Sequence, residues 1–548
     1  MGKTKILLTF FFIASIQLTY SQGKYAVHYK FKPQENFSLE NAGEFLTTKS
    51  IDRRDRQGIL LDSLDLPISN RYVEVVLQNC ETLLYNSKWM NASVVVANQV
   101  QVDAISNLDF VEKVEFVAPV GNPGGRIFRG IKGGNTLNLK FRLKSKKEAS
   151  EVYDFQNSLL GIQDMHGEGF TGAGILVAVF DAGFLGVDQV EGFRHLFDNN
   201  QILATKDLVD MANPNVFTKS QHGTNVLSLI AANSPERLVS GAPDADYILC
   251  ITEDVPTEYR IEEYNWLRAA EFADSLGVDI INSSLGYLDF DDPTMDYYAE
   301  NLDGKTALIS QAAAISAQKG ILVVTSVGNY GGRGESSLTA PADAEGVLSI
   351  GSVDSNSNRS PFSSQGPNAL GKVKPELTTF GQSVYMIRSN GVVGTGNGTS
   401  FSSPQIAALA AGLWQAKPEW SKDKLIAELL KSGTQANNPD SQLGYGIPNF
   451  LRAYYGEVLS VDEKTENSVW KIYPNPHEGT ELFVLFGNSL EANFRLYDVS
   501  GTLVSEQGIR RDSNQDPFKV NLPFVGKGLY MVEVQSEAIV KRTKLIKR

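Results

Sequence analysis

The middle of the chain, from about residue 151 to 456, alternates short apolar runs rich in β-branched residues with longer helical patterns. Four of the short runs predict buried strands: Ile175 to Phe180, Tyr247 to Thr252, Asp279 to Ser283 and Ile321 to Ser326. Strands separated by helices are typical of a parallel sheet covered by helices on both faces. Such α/β sheets place ligands at the carboxyl ends of their strands. We therefore expect a functional site at that edge.

The two flanking regions follow different patterns. Residues 23–120 predict a small α+β unit, because strand-like runs are mixed with helix-like stretches near Ser38 to Phe45 and Val100 to Asn107. The strand-like runs are Tyr25 to Tyr29, Tyr72 to Leu77 and Ala92 to Ala97. Residues 469–548 hold short strands separated by turn residues, without helical period, and predict a small β-sandwich.

The remaining stretches predict a signal peptide and two linkers. Residues 1–22 carry Lys3 and Lys5 before the apolar run Ile6 to Ile16, a pattern typical of an export signal. Residues 121–150 begin with glycine and proline and end in the basic run Arg142 to Lys147, which indicates an exposed linker open to proteolysis. Residues 457–468 are polar and form a second linker. No apolar run reaches the about 18 residues of a membrane helix, so we expect no transmembrane segment in the mature chain.

Composition excludes two broad classes. The 548 residues include 63 acidic and 50 basic side chains, a formal charge of −13, which argues against a nucleic-acid partner. Only two cysteines are present, Cys80 and Cys250, so the fold does not depend on a disulfide framework despite the export signal. With these two classes excluded, the composition and the export signal indicate a folded protein that leaves the cytoplasm.

Hydrolytic chemistry at neutral pH needs a base, and histidine is the natural one. The chain has five histidines: His28, His166, His195, His222 and His477. Two lie in the flanking units, and His166 and His195 sit in polar surroundings, where we expect ordinary surface residues. His222 differs, because Gln221 to Thr224 opens a helix of small, apolar residues. Its neighbour Gly223 allows close backbone approach.

An aspartate and a serine complete a candidate nucleophilic set. Asp181 ends the apolar strand Ile175 to Phe180, which presents its carboxylate at the sheet edge. Ser400 lies in Gly396 to Pro404, just before an apolar helix, whose N-terminus and glycines suit developing negative charge. Taken alone, the aspartate could be a turn or cap residue, and the serine a helix cap.

Together these segments resemble the three signature segments of the subtilases. They are the strand ending in Asp181, the helix start at His222 and Gly398 to Pro404, and the order Asp, His, Ser is that of subtilisin. The resemblance covers about residues 151–456. It implies a subtilisin-like fold, with Asp181, His222 and Ser400 as a catalytic triad.

The same resemblance extends to other site residues. Ser326 to Asn329 follows a predicted strand, as does the oxyanion-hole asparagine of the family, which implies that role for Asn329. Ser284, Leu285 and Gly286 resemble the substrate-binding edge, where an extended peptide adds as a strand.

The flanking units also resemble known modules. By place and size, residues 23–120 resemble the inhibitory propeptide of subtilases, and a permanent accessory domain is the alternative. The segments Tyr473 to Pro476, Leu496 to Gly501 and Gly528 to Val534, with a basic end, resemble the sorting domain of the type IX secretion pathway of Bacteroidetes. A carbohydrate- or protein-binding sandwich is the alternative there. The resemblance implies passage through the periplasm to the cell surface or medium, with the propeptide and the secretion machinery as partners.

The sequence thus predicts a secreted serine endopeptidase that acts on proteins or peptides through an acyl-enzyme. A non-catalytic binding module of the same fold is the first alternative, and a broad esterase or amidase the second. We expect no cofactor to be required for the chemistry; structural calcium, common among subtilases, has no assignable site and the metal sites stay unknown. The acidic loop Asp289 to Asp292 could favour basic substrates, although a solvated loop is the simpler interpretation.

Overall fold

The structure, a computed structural model, describes residues 22–121, 146–456, 470–477, 479–486, 489–513, 517–522, 525–536 and 540–548. The predicted signal peptide, nearly all of the first linker and the second linker lie outside these residues. Contacts divide the chain into two compact units, Met1–Glu457 and Val458–Arg548.

The N-terminal region forms a four-stranded antiparallel sheet in the order β2-β3-β1-β4. Two helices, α2 and α3, pack on one face of it and form a small apolar core with the strands. The elements are β1 (Gly23–Tyr29), α1 (Thr48–Gln57), α2 (Asn70–Gln78), β2 (Thr82–Ser87), β3 (Ala92–Ala97), α3 (Gln99–Ser106) and β4 (Val111–Pro119).

One predicted strand of this region is wrong. The run Tyr72 to Leu77 lies inside helix α2, although its valines favour a strand locally. Tyr72, Val73 and Val76 recur at helical spacing and face the sheet, so packing of one helix face overrides the local preference. The stretch near Ser38 to Phe45 is a short 3₁₀ helix, Leu39–Glu44, and α1 was not predicted at all.

The region from Lys146 to Gly456 is built on a seven-stranded parallel sheet in the order β13-β12-β11-β10-β5-β9-β6. Helix α4 begins at Lys146, inside the stretch predicted as linker. The helices are α4 (Lys146–Leu160), α5 (Ile162–Gly167), α6 (Arg194–Asp198), α7 (His222–Ala231), α8 (Ile261–Leu276), α9 (Leu308–Gln318), α10 (Ser403–Ala416), α11 (Lys422–Lys431) and α12 (Phe450–Tyr455). The strands are β5 (Leu176–Asp181), β6 (Ile202–Asp207), β7 (Asn233–Ser234), β8 (Leu238–Val239), β9 (Asp246–Ile251), β10 (Ile280–Ser283), β11 (Leu322–Ser326), β12 (Leu348–Val353), β13 (Leu377–Phe380), β14 (Gln382–Ile387) and β15 (Val393–Asn397).

Both faces of this sheet are buried, as its continuous apolar strands require. Along β5, Val177 and Val179 face a core that contains α7 and α10, whereas Ala178 and Phe180 face a second core that contains α8 and α9. The predicted class, an α/β sheet with helices on both faces, is confirmed.

The sheet has a switch point at its centre. From β5 the chain passes to the edge strand β6 and returns to β9 on one side, and it then builds outward from β10 through β13 on the other. Ligands of open parallel sheets bind beyond the carboxyl ends of strands at such a point. Asp181 ends β5, Ser284 follows β10 and Asn329 lies three residues beyond β11, so the predicted site residues surround it.

The N-terminal sheet packs its second face against helix α8, where Tyr85 and Trp89 join the core of α8 and α9. Helix α1 adds a charged contact beside it. Arg53 and Arg54 donate to the Asp274 carboxylate near the end of α8, at 2.6 and 2.8 Å, and all three side chains are buried. The Arg53 guanidinium also donates to the carbonyl oxygens of Val278 and Lys319, beyond the carboxyl ends of α8 and α9.

The second unit consists of two antiparallel sheets, β16-β17-β20 and β19-β18-β21-β22, around one apolar core. This confirms the predicted β-sandwich. Its strands are β16 (Trp470–Tyr473), β17 (Glu481–Phe486), β18 (Glu491–Tyr497), β19 (Leu503–Arg510), β20 (Phe518–Asn521), β21 (Gly528–Gln535) and β22 (Val540–Lys547).

Candidate active site

Asp181 and His222 form a hydrogen-bonded pair at the carboxyl edge of the sheet. The Nδ1 atom of His222 lies 2.9 and 3.0 Å from the two carboxylate oxygens of Asp181. The Ala182 backbone N–H donates to the same carboxylate at 2.7 Å. Asp181 is fully buried, while 27% of the His222 side chain is exposed. The imidazole is therefore bound to the protein through Nδ1, while part of the ring stays accessible from outside.

Glycine makes this approach possible. A Cβ atom on Gly223 would lie 2.4 Å from the Gly183 carbonyl oxygen and 2.9 Å from the Asp181 Cβ, closer than real Cβ atoms come. Gly183 has a φ of +146° and is packed against Ser220 in the same way. The start of α7 thus reaches β5 only because position 223 lacks a side chain.

The surroundings favour the protonated form of His222. Burial alone would lower the pKa of the imidazole, but the charge of Asp181, its hydrogen bond and the charge of Glu253 outweigh burial and raise that pKa. The imidazole therefore holds a second proton more readily than it would without Asp181 and Glu253.

Ser400 lies in a short 3₁₀ turn, Thr399–Phe401, immediately before α10. Its hydroxyl donates to the Ser284 backbone carbonyl at 3.2 Å, and the Ser284 hydroxyl donates back to the Ser400 carbonyl at 2.9 Å. The ring of the next residue, Phe401, lies 5.8 Å from the His222 ring, centroid to centroid. The serine turn and the start of α7 are therefore neighbours.

Asn329 is fixed by the same turn. Its side-chain Oδ1 accepts hydrogen bonds from the backbone N–H and the hydroxyl of Thr399, both at 3.0 Å. Since the two polar atoms of an amide point in different directions, Thr399 sets the side from which the Asn329 NH₂ group can donate. Gly328, with a φ of +108°, makes the turn that places Asn329 there.

The segment Ser284 to Gly286 runs out from β10 as an edge beside Ser400. The Ser326 hydroxyl donates to the Leu285 carbonyl at 3.2 Å, which ties this edge to β11. A Cβ on Gly286 would meet the Thr339 hydroxyl at 2.1 Å, so glycine is needed for the close approach. Six of the seven predicted site residues are thus placed around one point by their contacts, and the seventh, Leu285, lies between two of them.

Two histidine predictions need correction. Both ring nitrogens of His195 are buried, because α6 folds its apolar residues into the core, and burial lowers the pKa of His195. A ring nitrogen of His166 lies 3.0 Å from the Gly241 carbonyl, and the residue is half-buried. Neither is an ordinary surface residue.

The carboxylates of the acidic loop Asp289 to Asp292 bind other groups of the protein. Asp289 forms an ion pair with Arg333 at 2.6 Å, Asp291 accepts from the Glu258 N–H, and Asp292 caps a 3₁₀ helix. These contacts give its carboxylates structural roles.

Sequence reasoning missed Thr399 and Glu253. Thr399 lay within the recognised motif, but only its contact with Asn329 shows its role. Within the part of the chain that the structure describes, no group of three or more His, Cys, Asp or Glu side chains is placed to hold a metal ion.

Comparison with known proteins identifies each region. The model of the Subtilase family matches residues 172–446, half of the chain. The chain belongs to the subtilase family. It is a serine endopeptidase. The Peptidase S8 propeptide domain of Bacteroidota matches residues 24–126, and the Secretion system C-terminal sorting domain matches residues 471–548.

Curated subtilases are similar over most of their length. Subtilisin J of Geobacillus stearothermophilus is 26% identical over 400 residues, which cover 68% of this chain and 96% of that protein. Subtilisin E of Bacillus subtilis is 26% identical over 356 residues, 61% of this chain and 84% of that protein.

A solved structure supports the fold. The epidermin leader peptide processing serine protease of Staphylococcus aureus aligns with a TM-score of 0.53 at 18% identity, covering 81% of this chain and all of that one.

These matches confirm the predicted propeptide and the type IX sorting domain, and with them export to the cell surface or medium. Among the helices described above, none combines the length and apolar character needed to cross a membrane.

Proposed function

We propose that Asp181, His222 and Ser400 form the catalytic triad of this subtilase and cleave peptide bonds through an acyl-enzyme. The observation that carries the proposal is the bond from His222 Nδ1 to the buried Asp181 carboxylate, beside the turn that holds Ser400. This bond leaves Nε2 as the nitrogen that exchanges a proton with the serine.

In the proposed cycle His222 takes the Ser400 proton as the hydroxyl oxygen attacks the scissile carbonyl. Asp181 keeps the imidazole in the correct tautomer and stabilises the imidazolium. His222 then gives the proton to the leaving amine, and water repeats the sequence on the acyl-enzyme.

The developing oxyanion would be bound by the Asn329 NH₂ group and the Ser400 backbone N–H. The contact of Thr399 with the amide oxygen supports this role, because it holds the asparagine in one orientation. A donor fixed in advance needs no rearrangement during the reaction, and losing one such donor costs about 10²–10³ in turnover.

Substrate would add as an extended strand along Ser284, Leu285 and Gly286. The Ser284 carbonyl now accepts the Ser400 hydroxyl. A peptide N–H bound to that carbonyl would compete for it, and so would favour the turn of the hydroxyl towards His222. Binding and activation would then be coupled.

The N-terminal unit would silence the enzyme until the chain is cut between about residues 121 and 150.

We propose further that the chemistry requires no cofactor, since nucleophile, base and oxyanion donors are all protein groups. Activity that survives chelation of divalent cations would support this, whereas loss of kcat in chelated enzyme that stays folded, restored only by one cation, would contradict it.

The triad is tested by replacing Ser400. Wild-type enzyme should be labelled by a fluorophosphonate, cleave an unfolded protein and release its N-terminal unit, as read by N-terminal sequencing. Ser400→Ala should do none of these, while Ser158→Ala, a change at an exposed serine of α4, should match wild type. Labelling of Ser400→Ala at another serine would overturn the assignment.

A further inference from the structure

Glu253 lies beside the proposed triad but has no part in the mechanism above. It follows β9 by two residues, and the last residue of β9, Ile251, pairs with Asp181 in the sheet. The backbone N–H of Thr252 donates to the Asp181 carbonyl at 3.0 Å. The chain therefore brings a second acidic residue to the carboxyl edge next to Asp181.

The Glu253 side chain is held by two hydroxyl groups. Its Oε1 accepts from the Tyr287 hydroxyl at 2.5 Å and from the Thr252 hydroxyl at 2.8 Å. Tyr287 follows the substrate edge Ser284 to Gly286 and is buried, so its ring position is fixed by packing. Glu253 thus joins the ends of two strands that lie on either side of β5.

Several titratable groups face Glu253 from the surrounding elements. They are Asp181 at the end of β5, His222 at the start of α7, Tyr287 after β10 and Glu262 on α8; two acidic residues of its own loop, Asp254 and Glu258, face Glu262. Glu262 in turn binds the Asp254 N–H at 2.7 Å.

The balance of these groups gives Glu253 an unusual titration. Burial raises the pKa of its carboxyl most, the Asp181 charge adds to the rise, and the hydroxyl bonds and His222 oppose it; the result is about 7. In the other direction, the charge of Glu253 raises the pKa of His222. Glu253 therefore changes charge in the pH range where the imidazole works.

We propose that Glu253 is a positioning residue of the active site, whose ionised carboxylate adds to Asp181 in stabilising the protonated His222. The proposal rests on the proposed triad and extends it. Tyr287 and Thr252 hold the carboxylate in place, so the second charge acts through space on the imidazole and touches no substrate.

The ionisation of Glu253 determines how its effect on the His222 imidazolium changes with pH. Above about pH 7 Glu253 is charged and stabilises the imidazolium formed in the transition state; below it the neutral acid does not. Glu253→Gln resembles the neutral acid at every pH. The ratio of wild-type to Glu253→Gln kcat should therefore be near one at pH 6 and rise to about three- to tenfold above pH 8, with its midpoint near 7.

The experiment compares kcat and KM from pH 5.5 to 9 on one uncharged peptide anilide. Enzyme is purified after self-processing, and active sites are counted with a fluorophosphonate so that poor folding does not enter kcat. A ratio that does not change with pH would indicate a merely structural role and would overturn the proposal, as would an effect confined to KM.

Three variants sharpen the test. Glu419→Gln, the same change at an exposed glutamate between α10 and α11, should give a pH-independent ratio. Glu253→Asp keeps the charge and should restore part of the pH-dependent gain. Tyr287→Phe removes a bond that lowers the pKa of Glu253, so the midpoint should move to higher pH; an unmoved midpoint would assign the titration to another group.

Failure of this inference is distinguishable from failure of the triad. An unlabelled, inactive wild-type enzyme contradicts the proposed function. A labelled, active wild type with a flat ratio contradicts only the role of Glu253.

Discussion

Two aspartates of the catalytic region are completely buried, and their partners give them different properties. Asp181 faces one imidazole, whose side chain is 27% exposed. Asp274 faces the guanidinium groups of Arg53 and Arg54, which are as buried as the carboxylate itself. Both carboxylates lie in a region where an unpaired charge is costly.

The difference lies in what each partner can do with a proton. An imidazole gains and loses one near neutral pH, so the Asp181 pair can serve a reaction. A guanidinium stays charged, so the Asp274 cluster links the N-terminal unit to helix α8 without taking part in proton transfer. Asp181 and Asp274 are therefore equally buried, but the first can take part in catalysis whereas the second helps to attach the N-terminal unit.

Removing the charge of Asp181 should have the largest effect. Asp181→Asn keeps the shape of the side chain but favours the wrong tautomer of His222, so kcat should fall by about 10⁴-fold. Urea unfolding should show that the fold is retained. Asp188→Asn, a change at an exposed residue seven positions further on, is the control; a fall of less than tenfold in Asp181→Asn would break the comparison.

Removing the charge of Asp274 should cost stability instead. Asp274→Asn leaves the buried Arg53 without its carboxylate and leaves Arg54 with Asp65 alone, and should lower the unfolding free energy by about 3–5 kcal/mol. The measurement is urea unfolding of the full chain in the Ser400→Ala background, which avoids self-digestion. Asp423→Asn, at a side chain that is 82% exposed, should change little.

Acid should remove part of the same stability. Burial alone would raise the pKa of Asp274, but Lys88, Arg53 and Arg54 outweigh it and lower that pKa to about 2. A carboxyl whose pKa is lowered by folding stabilises the fold above its unfolded pKa, near 4, and stops doing so as pH falls through 2. About 2 kcal/mol should be lost across this window. Asp274→Asn should lack this component of the acid dependence; an equal component in both proteins would assign it elsewhere.

The smallest effect is expected for a charge at the open border of the same interface. Lys49 pairs with Asp279 at 3.1 Å, but 39% of its side chain is exposed. Water and salt screen such a pair, so Lys49→Met should cost less than about 1 kcal/mol. A loss of unfolding free energy as large as that of Asp274→Asn would show that burial does not determine how much these ion pairs contribute to stability.

More of the active site than of the surrounding structure could be predicted from the sequence. Asp181, His222 and Ser400 stand at strand and helix ends within recognisable motifs, and the sheet order then requires them to meet. Glu253 could not be found this way, because its importance depends on Tyr287 and His222, which only the fold brings near.

Local patterns were least informative in the N-terminal unit. The run Tyr72 to Leu77 has the composition of a strand, and one-sided packing makes it a helix. Arg53 and Arg54 resemble solvated charges of a polar segment, yet both are buried against Asp274, which lies more than 200 positions later. Contacts of that separation leave no periodic signal in the sequence.

The separation between Arg53 and Asp274, 221 positions, also sets how their contact responds to cleavage. In the intact precursor the two groups are tethered, so their encounter has an effective concentration fixed by the connecting chain. Contacts across so long a loop also form late in folding. Once the chain is cut between them, the same contact becomes bimolecular. Dilution alone can then separate the two parts, to an extent set by the affinity of this interface.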